Sequence, residues 1–483
     1  MRSRARGDTV KRRTMGATRR SVALAAAFLL ASATALWAHG ALKSSRPAAD
    51  AHLEEAPREL RLTFTDESPL NVTRVRLVGA DSQAVALGPI SHLDGDARRE
   101  VLVPILGALA VGTYAVEWQT AGADGHPVRG RFTFMVMAAT VPLPAAQDSS
   151  AQPPAEPMMH PPGSRDSFNV LSPAYVVIRW ITFVAILALV GVALFRFVVL
   201  RIPLRHSNEV RAAATTGALT ITTWAAIILA LAAIARLGAQ SYALFGTDAL
   251  DVRVTASLLP GSLWGVGWIL QSAAALVAWQ SARSVRSGHT AAWWGIAAAA
   301  AVGASTPSFS GHAAASGALA MTADVVHVLA AGGWVGTLFV LFAAGLPAAR
   351  SAPEGERERA GAQLVHAFSP VALASVALLG ASGLFAAWNS FTGLTDLWLT
   401  PYGRTLGLKL FVLSAVVATG WYNWKRVTPR LISPEGPPLL RRTIAAELVV
   451  AVLVLGVTAV LTATPTPKDA AAMLEHEMTA TER

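Results

Sequence analysis

Two short stretches of this chain carry residues whose types and spacing suit metal chemistry. The first is AGADGHPVRG, residues 121–130. It sets Asp124 and His126 two apart, with Gly125 letting the chain bend between them and Pro127 stiffening the exit. The partner for this pair is His39, far upstream. A histidine at a free N-terminus is a bidentate ligand, because its amine and Nδ1 close one chelate ring. A second imidazole and a carboxylate complete a tetragonal set of nitrogen and oxygen donors, which suits Cu(II). Asp66, in LTFTDE at a strand end, is a further candidate oxygen donor. The competing reading is an ordinary turn, where an aspartate caps backbone amides and the histidine is merely exposed. His52 and His92 read as surface residues, either of which could substitute as a ligand.

The second stretch is TADVVHVLAAGGWVGTLFVL, in which Asp324 and His327 stand three apart within an apolar run. That spacing puts both on one helix face. His312, in STPSFSGHAAASGA, closes the preceding run. Ionisable residues inside membrane spans are functional candidates by default, and a neutral imidazole binds copper in either oxidation state. Against this stands a packing role, in which Asp324 and His327 hydrogen-bond across helices. Lys409 and Arg404, opening a later run, read as side chains that snorkel to the surface. Trp264, Trp268, Trp293, Trp294, Trp334 and Trp388 read as interfacial belt or packing residues. PMMHPP (Met158, Met159, His160) and MLEHEM (Met473, His476, Met478) combine thioether and imidazole, a donor set suited to Cu(I).

The elements that must position these residues follow from composition. Of 483 residues, 53% are hydrophobic and 14% charged, and the mean hydropathy is +0.45, which points to many membrane spans. The net charge of +10 is not a nucleic-acid footprint. Eight basic residues (Arg2, Arg4, Arg6, Lys11, Arg12, Arg13, Arg19 and Arg20) crowd the first twenty positions, and most other arginines flank apolar runs. With no cysteine, disulfides, thiolate metal sites and thiol catalysis are excluded. The basic start leads into SVALAAAFLLASATALWA, a secretory signal over residues 1–38. Cleavage after Ala35 would leave Leu36 first, whereas cleavage after Ala38 would leave His39 first. An uncleaved segment would be a signal anchor.

Residues 39–140 read as β: ELRLTFT, VTRVRLV, REVLVPI, TYAVEWQ and RFTFMV are short, alternating or β-branched, and separated by turn residues. They predict an Ig-like sandwich of two antiparallel sheets. Residues 141–170 form a Pro- and Ala-rich linker. Eight apolar runs follow in an all-α membrane domain over 171–465, near 172–199, 214–236, 260–281, 291–307, 322–346, 368–388, 405–424 and 443–464. Alternate loops hold Arg201, Arg205 and Arg211; Arg283 and Arg286; Arg350, Arg357 and Arg359; and Lys425, Arg426, Arg430, Arg441 and Arg442. The other loops hold little beyond Arg253 and Arg404. This positive-inside bias puts the β domain and the tail, residues 466–483, outside the cytoplasm.

These motifs carry a resemblance. His39 after a signal, Ser45-Arg46-Pro47, LTFTDE and GTYAVEWQTAGADGHPVRGRFTFMV resemble the periplasmic copper-binding protein CopC. The resemblance implies Cu(II) at His39, Asp124 and His126, with Asp66 beside them. The family's Met-rich loop for Cu(I) is absent, as no methionine lies between Met15 and Met135. SGHAAA, ADVVHVLAAGGWVGTL and PYGRTLGLKLFVLSAVVATGWYNW resemble the inner-membrane copper-resistance protein CopD, and fusions of the two are known in this group. The implied function is copper capture outside the cytoplasm and copper movement, read as uptake, across a bacterial plasma membrane. In the membrane half, Cu(I) would meet His312, Asp324 and His327. No Walker A sequence, phosphorylation motif or flavin or nicotinamide motif is visible, so the chain reads as a non-enzyme whose partners are copper ions and lipid, not nucleic acid. Two other functions fit less of the chain: a haem-bearing membrane oxidoreductase using His312 and His327, and a copper buffer or sensor with a membrane anchor.

Overall fold

The computed structural model describes residues 42–65, 67–81, 83–93, 98–121, 127–137, 172–201, 208–260, 262–427, 429, 436–468 and 471. The chain forms two compact units, taken here in turn.

The β unit is built from alternation. In β3 (Glu59–Phe64), Leu60, Leu62 and Phe64 face inward and are buried, while Glu59, Arg61 and Thr63 face outward. The same period buries Val101 and Val103 of β7 (Glu100–Pro104). β4 (Arg74–Gly79), β8 (Gly112–Ala121) and β9 (Pro127–Val136) complete the five strands expected from sequence. Four further strands, β1 (Leu42–Arg46), β2 (Ala51–Leu53), β5 (Ala84–Val85) and β6 (Ser91–His92), are too short or too polar to show a period.

The strands form a four-stranded sheet in the order β1-β3-β7-β6 and a five-stranded sheet in the order β2-β9-β8-β4-β5. The second sheet is not wholly antiparallel, because β2 runs parallel to β9. The two inner faces share one core of Leu60, Leu62, Val101 and Val103 against Leu77, Val116, Trp118 and Phe134. Phe64 meets Trp118 edge-on, with ring centroids 5.3 Å apart. The indole lies over Gly130, its cross-strand partner, where an added Cβ would sit 2.4 Å from the ring.

The second unit is helical. Six helices among the described residues are long and apolar enough to cross a membrane. They begin with α1 (Pro173–Phe197) and α2 (Asn208–Phe245). Where the third and fourth spans were expected, the chain forms helices α3 (Leu263–Arg286) and α4 (Trp293–Ser305), neither of which belongs to that set of six. α4 has 13 residues, about 20 Å of rise against a hydrocarbon core of about 30 Å, and gives way to a 3-10 turn at Thr306–Phe309 containing Pro307. α5 (Ala318–Ser351), α6 (Arg357–Ser390), α7 (Pro401–Val427) and α8 (Gly436–Leu461) follow. α5 is not uniform: π-helical turns occupy Gly332–Gly336 and Leu341–Gly345. Another, Asn423–Val427, ends α7.

α1 and α5 cross in backbone contact. A Cβ on Gly336 would lie 1.9 Å from the Leu187 carbonyl oxygen, and one on Gly191 would lie 2.1 Å from the Gly336 carbonyl carbon. Lipid tails are as apolar as leucine, so helices associate through close packing, which small residues permit.

The Gly130 position is open to test. Gly130→Val drives a branched side chain into an indole already covered by Phe64. It is expected to cost the β unit about 1–3 kcal/mol, seen as earlier loss of near-ultraviolet circular dichroism on heating the purified protein. An unchanged melting profile would show that Trp118 is not clamped.

Candidate functional site

The four predicted β-domain ligands, His39, Asp66, Asp124 and His126, lie outside the described residues. The strands flanking them are described, and they come together. β8 and β9 pair along ten residues, from Gly112 opposite Val136 to Ala121 opposite Pro127, so Asp124 and His126 belong to the connection beyond that last pair. β1 starts at Leu42, three residues after His39, and Leu42 pairs with Phe64, two residues before Asp66. Phe64 in turn packs on Trp118, near the turn-bearing end of β8. The described flanks of all four residues thus meet at one end of the sandwich.

The alternative histidines are placed differently. His52 pairs with Met135, at the far end of β9. His92 has Nε2 2.9 Å from the Ser68 carbonyl oxygen. The compact unit of the β strands also takes in Arg236–Gly265, the end of α2 included, and within it the hairpin is gripped beside its turn. Gln119 donates to the Leu244 carbonyl at 2.5 Å, and Arg129 donates to the Ala243 carbonyl at 2.9 Å. These carbonyls end α2, where orphaned acceptors and the negative end of the helix dipole favour a guanidinium.

In the helical unit, the predicted pair is engaged from two other elements. Ser308, in the turn after α4, donates to Asp324 Oδ2 at 2.7 Å. His327 Nδ1 lies 2.9 Å from Ser382 Oγ on α6. Ser382 has one hydroxyl hydrogen, and it goes to the Leu378 carbonyl at 2.7 Å. With that hydrogen on the carbonyl, the oxygen accepts from an Nδ1–H, the tautomer that puts the His327 lone pair on Nε2. Fixing one ring nitrogen so that the other presents its lone pair is how metal-binding imidazoles are held. His312 opens a four-residue helix, His312–Ala315, ahead of α5. Among the described residues, no three His, Asp or Glu side chains converge as a metal site would require.

Two assignments made from sequence need correction. Lys409 does not stand apart at the surface, since its ammonium acts electrostatically on both Asp324 and His327. It lies in a seven-residue stripe of α7 (Tyr402, Lys409, Val416, Asn423) whose apolar members Tyr402 and Val416 are buried. Trp334 is more than a packing residue, because its indole lies near Glu447 on α8 and acts on that carboxyl group. Glu447 itself was missed. It is a lone acid in the apolar run AAELVVAVLV, 5% exposed, and that isolation was the available signal.

Comparison with known proteins covers both units. Residues 42–137 match the CopC domain family, residues 170–322 the copper resistance protein D-like N-terminal domain, and residues 362–461 copper resistance protein D. YobA of Escherichia coli K12 is 31% identical over 124 residues, 25% of this chain and 99% of YobA. Copper resistance protein C of Escherichia coli is 30% identical over 106 residues, 20% of this chain and 82% of that protein. Copper transport protein CutJ of Bacillus subtilis strain 168 is 24% identical over 453 residues, spanning 90% of this chain and 76% of CutJ. With six candidate spans, this is a multi-pass membrane protein. A β unit of one kind and a helical unit of the other, matched in order along one polypeptide, place the chain in the CopC/CopD copper-resistance family as a fusion of its two components.

Proposed function

We propose that this protein captures Cu(II) outside the cytoplasm and carries copper inward across the plasma membrane, serving copper homeostasis and resistance. The observation that carries the reading is His327: a half-buried imidazole whose Nδ1 is occupied by Ser382 and whose Nε2 is left to bind. Support comes also from the similarity to a copper transport protein along most of the chain.

Capture falls to the β unit. Once the signal segment is removed after Ala38, His39 supplies its amine and Nδ1, His126 a second imidazole, and Asp124 a carboxylate, with Asp66 beside them. Nitrogen and oxygen donors of this kind suit Cu(II), and the set contains no thioether to favour Cu(I). Passage falls to the helical unit, which with α3 and α4 counts eight helices and begins outside. Copper meets His312, then His327 with Asp324, all toward the outer ends of their elements in this orientation, and a neutral imidazole binds it in either oxidation state. Lys409 offsets the Asp324 charge while no metal is present, so the pair is not an isolated anion in hydrocarbon. The β domain and the C-terminal tail share the outer face, as the arginine-rich alternate loops require.

Two measurements test this. Asp124→Ala or His126→Ala is expected to weaken Cu(II) binding to the mature protein at least about tenfold, equivalent to ~1.4 kcal/mol, by competition titration with a chelator. Wild-type affinity in both variants would remove the site from that turn. His327→Ala in proteoliposomes should take up radioactive copper at close to the protein-free rate, with Cu(II) binding at the β unit retained. Uptake equal to wild type would take His327 out of the path, and no uptake by the wild type would end the transport reading.

A further inference from the structure

Glu447 and its partners form a second polar site in the helical unit, and nothing in the proposed copper path uses it. Three helices meet there. Asn423 of α7 donates to Glu447 Oε2 at 3.1 Å, the Trp334 indole of α5 lies near the same carboxyl group, and Gly420 of α7 faces Oε1 with no side chain between. Both Trp334 and Asn423 sit in π-helical turns, Gly332–Gly336 and Asn423–Val427, inside spans that are otherwise α-helical. Such turns are rare and concentrate at functional sites, because each re-aims a side chain at the expense of a regular hydrogen-bond ladder. Here two independent π turns serve one carboxyl group.

The chemistry of the partners narrows the ligand. Asn423 presents its amide N–H to the carboxyl group, and the indole N–H nearby has no lone pair to offer. What such a carboxyl group can still take is a proton, and acids at this depth mark proton relays in membrane proteins. Charged side chains on the neighbouring helices are engaged elsewhere. Lys409 acts on Asp324 and His327, Lys425 lies over the Trp421 ring, Arg441 over Phe342, and Arg179 of α1 donates to the Ala459 carbonyl. Among the described residues, no cation forms an ion pair with Glu447.

We propose that Glu447 is a proton-carrying site and that its proton is coupled to copper movement, an inference that rests on the transport reading above. Copper and proton are handled at separate places, His327 on α5 and Glu447 on α8, and α5 runs between them: His327 and Trp334 are seven residues apart, about 10 Å in rise.

The test uses the full chain in proteoliposomes, with radioactive copper outside and a pH-sensitive dye inside. Wild-type uptake should change about fivefold or more when a proton gradient is imposed, the lower range of typical coupling. Glu447→Gln should keep gradient-independent uptake and lose that response. A Gln variant that responds as wild type does, or a wild type that transports copper with no response, overturns the proposal. Should the wild type transport no copper, the transport reading fails by itself. The proton site is then judged by labelling with dicyclohexylcarbodiimide, an apolar reagent for protonated carboxyl groups. An adduct at Glu447 by mass spectrometry supports the site, and its absence overturns it.

Discussion

Hydrocarbon offers no hydrogen bonds, so an ionisable side chain inside a span is favoured by a partner within the protein. The helical unit is organised by that preference. Asp324 has Ser308, His327 has Ser382, Glu447 has Asn423 and Trp334, and Lys409 lies within electrostatic reach of Asp324. None of these links joins neighbours on one helix, so each ties two elements together. The polar groups that give the unit its chemistry also hold its helices in register.

The β unit obeys the opposite logic. Its core is apolar, and order comes from alternation and from one tight fit, the Trp118 indole between Phe64 and Gly130. The strands that flank the predicted ligands end beside that fit. The polar grip on the hairpin, Gln119 and Arg129 on the carbonyls that end α2, lies a few residues from the turn. A rigid apolar frame thus brings together chain segments far apart in sequence, as a metal set drawn from residues 39, 66, 124 and 126 requires.

Much of this was legible in the residues themselves. The five strands expected from sequence carried alternation or β-branched and aromatic residues, and the six strongest apolar runs needed only length and composition. The Asp324 and His327 spacing placed both on one face. What escaped was set by tertiary contacts. β2 has three residues, so its parallel pairing with β9 has no local signature. The role of Lys409 depends on α5 lying opposite, and the work of Trp334 depends on an acid more than a hundred residues later. Two of the expected spans carry too little length or hydropathy to be counted with the other six, although both are helical.

The contact of Gly191 with Gly336 restricts how α1 and α5 can move. Two backbones already touching cannot come nearer, and drawing them apart would open an unfilled gap in a close-packed interior. Rotation about the crossing remains. Trp334 lies two residues from that fulcrum and His327 nine, so a small tilt displaces the imidazole several times farther than the indole. The joint works as a lever, its long arm at the imidazole and its short arm at the indole.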